Sequence, residues 1–207
     1  MKKRLFKILT IVFISLAIAG AIAAYQIQNE ENERLISQGE KTQPKIVSKN
    51  FGGDFTLINQ DSETVTQDDF NNQYRLIYFG FTYCPAICPT ELQKMSKVLT
   101  LLGDKGEEIT PIFITVDPER DTVETMKQYV ELFHPRLVGL TGTSEQIKTV
   151  KKAYKIYATK VKEEGMNDYT MDHSSFIYFL DPDNNLLRIF KTDDTADDMT
   201  NTINQYM

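Results

Sequence analysis

The sequence predicts an α/β fold built on a buried, partly parallel sheet, and three observations carry that expectation. Leu76 to Phe81 is too continuously apolar for a half-exposed strand, Ile109 to Val116 is a second such run, and between them Leu92, Met95, Leu99 and Leu102 recur at helical spacing. Strands covered on both faces read as unbroken apolar runs, and a strand, helix, strand order makes a βαβ crossover.

The other elements follow in chain order. Phe55-Thr56-Leu57 and a short stretch near Thr64-Val65 read as a small hairpin before the central strand. After that strand, Pro89 suits the first helical position and Gly103 ends the helix. Asp121 with Glu124 resembles a capping box opening a helix through Phe133, and Thr143 with Gln146 opens another through Tyr154. A short strand, Leu137 to Leu140, lies between them. Ser175 to Leu180 and Leu186 to Phe190 flank Asp181-Pro182-Asp183-Asn184-Asn185 and read as a hairpin, and Thr195 to Tyr206 as a final helix. A βαβ unit followed by a helix, a hairpin and a closing helix is the thioredoxin-like arrangement.

The 207 residues, 41% hydrophobic and 25% charged, suit one compact domain with an appendage rather than a disordered or fibrous chain. The appendage is N-terminal. Lys2, Lys3, Arg4 and Lys7 form a basic segment over residues 1–7, and Ile8 to Tyr25 is uncharged and apolar, long enough to cross a bilayer as a single helix. The basic cluster predicts that the N-terminus stays in the cytoplasm, which places the domain on the periplasmic or exterior side of the cytoplasmic membrane. Small residues at Ala19-Gly20-Ala21 and Ala21-Ile22-Ala23 resemble cleavage sites, but the apolar stretch exceeds a signal core of about 7–15 residues, so retention is the better reading. No cysteine follows the span to carry a lipid. Residues 26–50 are polar and charge-mixed and read as a tether, which leaves 51–207 as the folded domain.

The formal net charge is −6, yet the first seven residues carry four positive charges and no negative one, so the remainder stands at −10. That balance argues against nucleic acid and against binding to anionic lipid through the domain.

The only two cysteines, Cys84 and Cys88, lie in Tyr83-Cys84-Pro85-Ala86-Ile87-Cys88-Pro89. A strand should deliver both to the first turn of a helix, where unpaired N–H groups and a partial positive charge favour thiolate over thiol. At a spacing of four on a helical turn the pair can bind one soft metal ion, and it can also close a disulfide. Two thiolates suit Cu(I), and an added imidazole gives a set that also holds Cu(II). A purely structural disulfide is the weaker reading, because a bridge closing three residues constrains the unfolded chain little.

His173, in Tyr169-Thr170-Met171-Asp172-His173-Ser174, precedes the hairpin in a loop that faces the cysteine turn of a thioredoxin-like fold. The position just before it is not proline, which argues for metal binding over disulfide turnover. His134, at a helix end before Pro135, is explained by the helix dipole alone. Met166 and Met171 read as packing groups, Asp117 and Asp121 as turn and capping residues, and Asp193, Asp194, Asp197 and Asp198 as charges favoured at the start of a helix. A peroxidase would want one cationic partner beside a single reactive cysteine, and no Arg or Lys adjoins Cys84 in sequence.

Five segments in order resemble the Sco/SenC family, membrane-anchored copper proteins of cytochrome c oxidase assembly. They are Gly53-Asp54-Phe55-Thr56-Leu57, Phe79 to Pro85, Cys88-Pro89-Thr90-Glu91-Leu92, Asp117-Pro118-Glu119-Arg120-Asp121-Thr122, and Tyr169 through Pro182. The resemblance covers residues 51 to 207. It implies copper, as Cu(I) or Cu(II), held by Cys84, Cys88 and His173, taken from an upstream copper donor and delivered to the copper-bearing subunit of the oxidase. Chaperone rather than enzyme is the expectation; the alternative is a thiol-disulfide oxidoreductase, with Cys84 and Cys88 as the redox pair keeping that subunit's cysteines reduced. Two departures stand out: Ala86 replaces a residue that is often acidic in the family, and Asn184 replaces the usual hairpin glycine.

Overall fold

The apolar run Leu76 to Phe81 becomes the axis of a seven-stranded mixed sheet in the computed structural model of the chain. The structure describes residues 46–162 and 168–207, and before them only Gly20, Tyr25 and Gln26. The span expected over residues 8–25 lies, but for two of these residues, outside the described ones, and so does Met166. Among the described residues no helix is long and apolar enough to cross a membrane.

In chain order the strands are β1 (Thr56–Asn59), β2 (Thr64–Thr66), β3 (Tyr74–Gly80), β4 (Ile109–Thr115), β5 (Val138–Thr141), β6 (Ala158–Val161), β7 (Thr170–His173), β8 (Ile177–Leu180) and β9 (Leu186–Phe190). The helices are α1 (Ile87–Leu102), α2 (Val123–Val130), α3 (Ser144–Ala153) and α4 (Ala196–Ile203). The sheet order is β2-β1-β5-β4-β3-β8-β9, with β3, β4 and β5 parallel and their neighbours β8 and β1 antiparallel. The expected crossover is present: Tyr74 faces Ile109 and Gly80 faces Thr115 across the β3–β4 ladder, with α1 between them in sequence.

Side chains alternate along β3 and so reach both layers. Tyr78 points to the face of α1, where its hydroxyl meets Cys88, and Phe79 points to the other face, where its ring meets Tyr154 at the end of α3. Leu76, Tyr78 and Phe79 are fully buried, which explains why the strand shows no polar alternation. Phe51 caps this second face, stacking on Tyr178 and meeting the edge of Tyr154. Upstream of it, Val47 and Ser48 donate N–H groups to the Leu186 carbonyl, so residues read as tether are hydrogen-bonded to the sheet edge.

Three expectations shift locally. α1 opens at Ile87, so Pro89 is its third residue and only Cys88 lies in its first turn; Cys84 stays in the preceding loop. The cap of α2 is Thr122, whose hydroxyl accepts the Thr125 N–H, and Asp121 is buried behind it instead. His173 closes β7, which pairs with β6 in a two-stranded ribbon apart from the main sheet, where a loop was expected. The Thr143–Gln146 capping box forms as read. Asn184 adopts φ 63°, which Asn tolerates, and Arg75, buried in β3, donates to its side chain and to the Asp181 carbonyl to hold the hairpin turn.

Candidate metal and thiol site

The carboxyl ends of β3 and β4 place the loop 81–86 at the edge of the sheet, where open α/β folds put their sites. Cys88 occupies the second position of α1 and is fully buried, whereas Cys84 is half-buried; both are free thiols. Ala86, the N-cap, has no side chain that could accept a hydrogen bond, so an orphan donor of the first turn goes elsewhere: the Cys88 N–H donates to Cys84 Sγ at 3.3 Å. An acidic residue at position 86 would compete with the sulfur for that donor.

The two thiols hold their protons unequally. Cys84 is held far below the ordinary thiol value, first by a hydrogen bond from the Cys88 thiol, and Cys88 is pushed far up by the same bond and by burial. The pair therefore behaves as a thiolate at Cys84 with a thiol behind it, and its two protons leave as a coupled system.

Gly80 makes room for the buried sulfur. A Cβ at this position would come within 2.8 Å of Cys88 Sγ, 2.9 Å of Phe113 and 3.0 Å of Tyr78. Gly80→Ala is therefore expected to lower stability by about 1–3 kcal/mol, the usual cost of overpacking, and urea unfolding of the reduced protein checks it. The hydroxyl of Tyr78 lies 3.6 Å from Cys88 Sγ, and burial holds that phenol above its ordinary range.

His173 reaches the site from the ribbon. Its Nε2 stands 3.6 Å from Cys88 Sγ, and its Nδ1 lies 3.0 Å from the Ser174 carbonyl. A hydrogen bond from Nδ1–H to that carbonyl leaves the Nε2 lone pair facing the sulfur. The edges of the imidazole meet the rings of Phe81 and Tyr78. Bonds of about 2.3 Å to sulfur and about 2.0 Å to nitrogen, opened at tetrahedral to trigonal angles, separate the two ligands by roughly 3.5–3.8 Å. The Cys88–His173 separation fits one shared ion. Among the described residues no group of three or more His, Cys, Asp and Glu side chains stands already closed around one point. Cys84 Sγ, which accepts the Cys88 N–H, would be the third group of such a set.

Asp121 anchors the loop from beneath. Its carboxylate accepts the Thr82 N–H at 3.1 Å, the Thr82 hydroxyl at 2.6 Å and the Thr115 hydroxyl at 2.5 Å, and its backbone carbonyl accepts the Thr141 hydroxyl. Asp117, also buried, accepts from Arg120 Nε and from the Tyr169 hydroxyl. Sequence reasoning read both acids as turn or cap residues, because a polar residue next to a helix start gives no sign of which way it faces. Gly80 and Tyr78 did carry a signal: a glycine ending a buried strand beside a reactive helix marks close approach.

The remaining candidates sit elsewhere. His134 Nδ1 accepts the Arg136 N–H in a surface turn among Asp61, Lys127 and Glu131, and burial with Arg136 lowers its affinity for protons. Met171 is buried as a packing group. Asp198 completes a capping box with Thr195 at the start of α4.

The SCO1/SenC family profile matches residues 43–207. The protein sco1 of Schizosaccharomyces pombe is 39% identical over 195 residues, which cover 92% of this chain and 74% of that protein. A copper-bound crystal structure of ScoI from Arabidopsis thaliana is similar, with 40% identity and a TM-score of 0.71 over 75% of this chain and 99% of that one. A copper-bound ScoI from Bradyrhizobium japonicum has 39% identity and a TM-score of 0.70 over 76% and 99%.

Proposed function

Since the chain belongs to the SCO1/SenC family, we propose that it is a copper metallochaperone that loads the binuclear copper site of cytochrome c oxidase during assembly. Copper is its cargo, received from an upstream donor and passed to the copper-bearing subunit. The ligands are Cys84, Cys88 and His173, and the observation that carries this set is the 3.6 Å separation between Cys88 Sγ and His173 Nε2. Cu(I), a soft d¹⁰ ion, rests on the two sulfurs, and Cu(II) additionally takes the imidazole. The copper-bound relatives, at about this identity, support the same cargo.

The domain beyond the tether works on the outer side of the cytoplasmic membrane, held by the single span at residues 8–25. What supports this placement is the basic segment followed by the uncharged apolar stretch.

One measurement tests the function. The reduced domain should take up one copper ion and, with Cu(II), show intense sulfur-to-copper charge-transfer absorption; the Cys84–Cys88 disulfide, lacking both anionic ligands, should take up none. Equal uptake by the two redox forms would defeat the chaperone reading and leave thiol-disulfide exchange.

A further inference from the structure

We propose that Arg120 is a positioning residue that sets the distance between the cysteine loop and the imidazole, and so governs which copper valence the protein holds; this rests on the ligand set proposed above. Arg120 touches neither sulfur nor His173. It joins the segments that carry them.

The guanidinium carbon lies over two aromatic rings, 3.8 Å from the centroid of Tyr169 and 4.8 Å from that of Tyr83. Tyr83 immediately precedes Cys84. Tyr169 immediately precedes β7, whose last residue is His173. The Nε–H donates to buried Asp117 at 2.6 Å and Nη1–H to the Tyr169 carbonyl at 2.9 Å, with Asp168 at 3.3 Å. Asp117, just past β4, accepts the Tyr169 hydroxyl at 2.8 Å as well. One planar cation thus binds the cysteine loop, the end of the main sheet and the start of the histidine strand.

The ribbon needs such a tie because β6 and β7 pair only with each other. Its shortest side-chain links to the body converge on the turn 117–120, where Glu119 adds an ion pair with Lys160 at 2.6 Å. Phe81, 6.0 Å from the guanidinium, also meets the imidazole edge-on. Lysine would keep the charge but lacks the planar fork that lies over two rings while donating in two directions.

Loosening the ribbon moves the nitrogen ligand and leaves the two sulfurs on their own loop and helix. The two valences should therefore respond differently, which a general loss of stability would not produce. In Arg120→Lys, competition with chelators should show Cu(II) affinity falling by about tenfold or more and Cu(I) affinity changing by less than about threefold. The nitrogen hyperfine splitting of the Cu(II) spectrum should weaken in step. If Arg120→Lys fails to fold, Tyr83→Leu, which removes only the exposed ring that the guanidinium covers, should show the same divergence. Equal losses for both valences, or no change in either, overturn the proposal. A wild-type protein that binds Cu(II) without nitrogen hyperfine overturns the ligand set itself, which separates the two failures.

Discussion

Replacing His173 by alanine is expected to cost the reduced protein at least about tenfold in Cu(II) affinity, roughly 1.4 kcal/mol, and to stop oxidase assembly. The substitution deletes the proposed nitrogen ligand but leaves Cys84, Cys88 and the amino end of α1 in place, so Cu(I) should persist on two sulfurs. Cys84→Ser and Cys88→Ser should each abolish binding of either valence, because an alcohol is no substitute for a soft anionic donor. Oxidase activity and cellular copper in the three variants provide the check. Normal oxidase with His173→Ala, together with loss in both serine variants, would mean that thiol exchange and not delivery is the function.

The second large effect is structural. Asp121→Ala removes the acceptor for the Thr82 N–H, the Thr82 hydroxyl and the Thr115 hydroxyl at a site closed to water, and should cost about 3–5 kcal/mol in urea unfolding. Loss of less than about 1 kcal/mol would show that water or a neighbour replaces the carboxylate. Its proton linkage gives a further signature. Burial raises the affinity of Asp121 for its proton, against the opposing hydrogen bonds from Thr115 and Thr82, and burial raises that of Glu91 as well. The folded chain then binds these protons more tightly than the unfolded chain. Their contribution is complete below the ordinary carboxylate range and is lost as pH rises through the raised values. Stability should therefore fall with rising pH just above that range, and the slope should flatten in Asp121→Ala.

Much of this was legible in the sequence because the signals are local. The buried run of β3, the helical spacing of α1 and the capping box of α3 each depend on neighbours along the chain. β6 and β7 were not legible, since Ala158 to Val161 alternates weakly and pairs only with Thr170 to His173 across a gap in sequence. The same holds for the site. Two cysteines four apart announce themselves, and the family resemblance supplied His173. The supports, Asp121 under Thr82 and Arg120 over the rings of Tyr83 and Tyr169, come together only through tertiary contact.

The unequal burial of the two sulfurs also gives traffic through the site a direction. Cys88 is sealed beneath α1, against Tyr78 and the bare backbone of Gly80, whereas Cys84 is only half-buried and adjoins exposed Tyr83. Of the two residues only Cys84 presents surface that a partner protein could touch. With the ligand set proposed above, an arriving ion should meet Cys84 before it reaches Cys88 and the imidazole. The buried sulfur would then act as a latch that closes only after the cargo has entered.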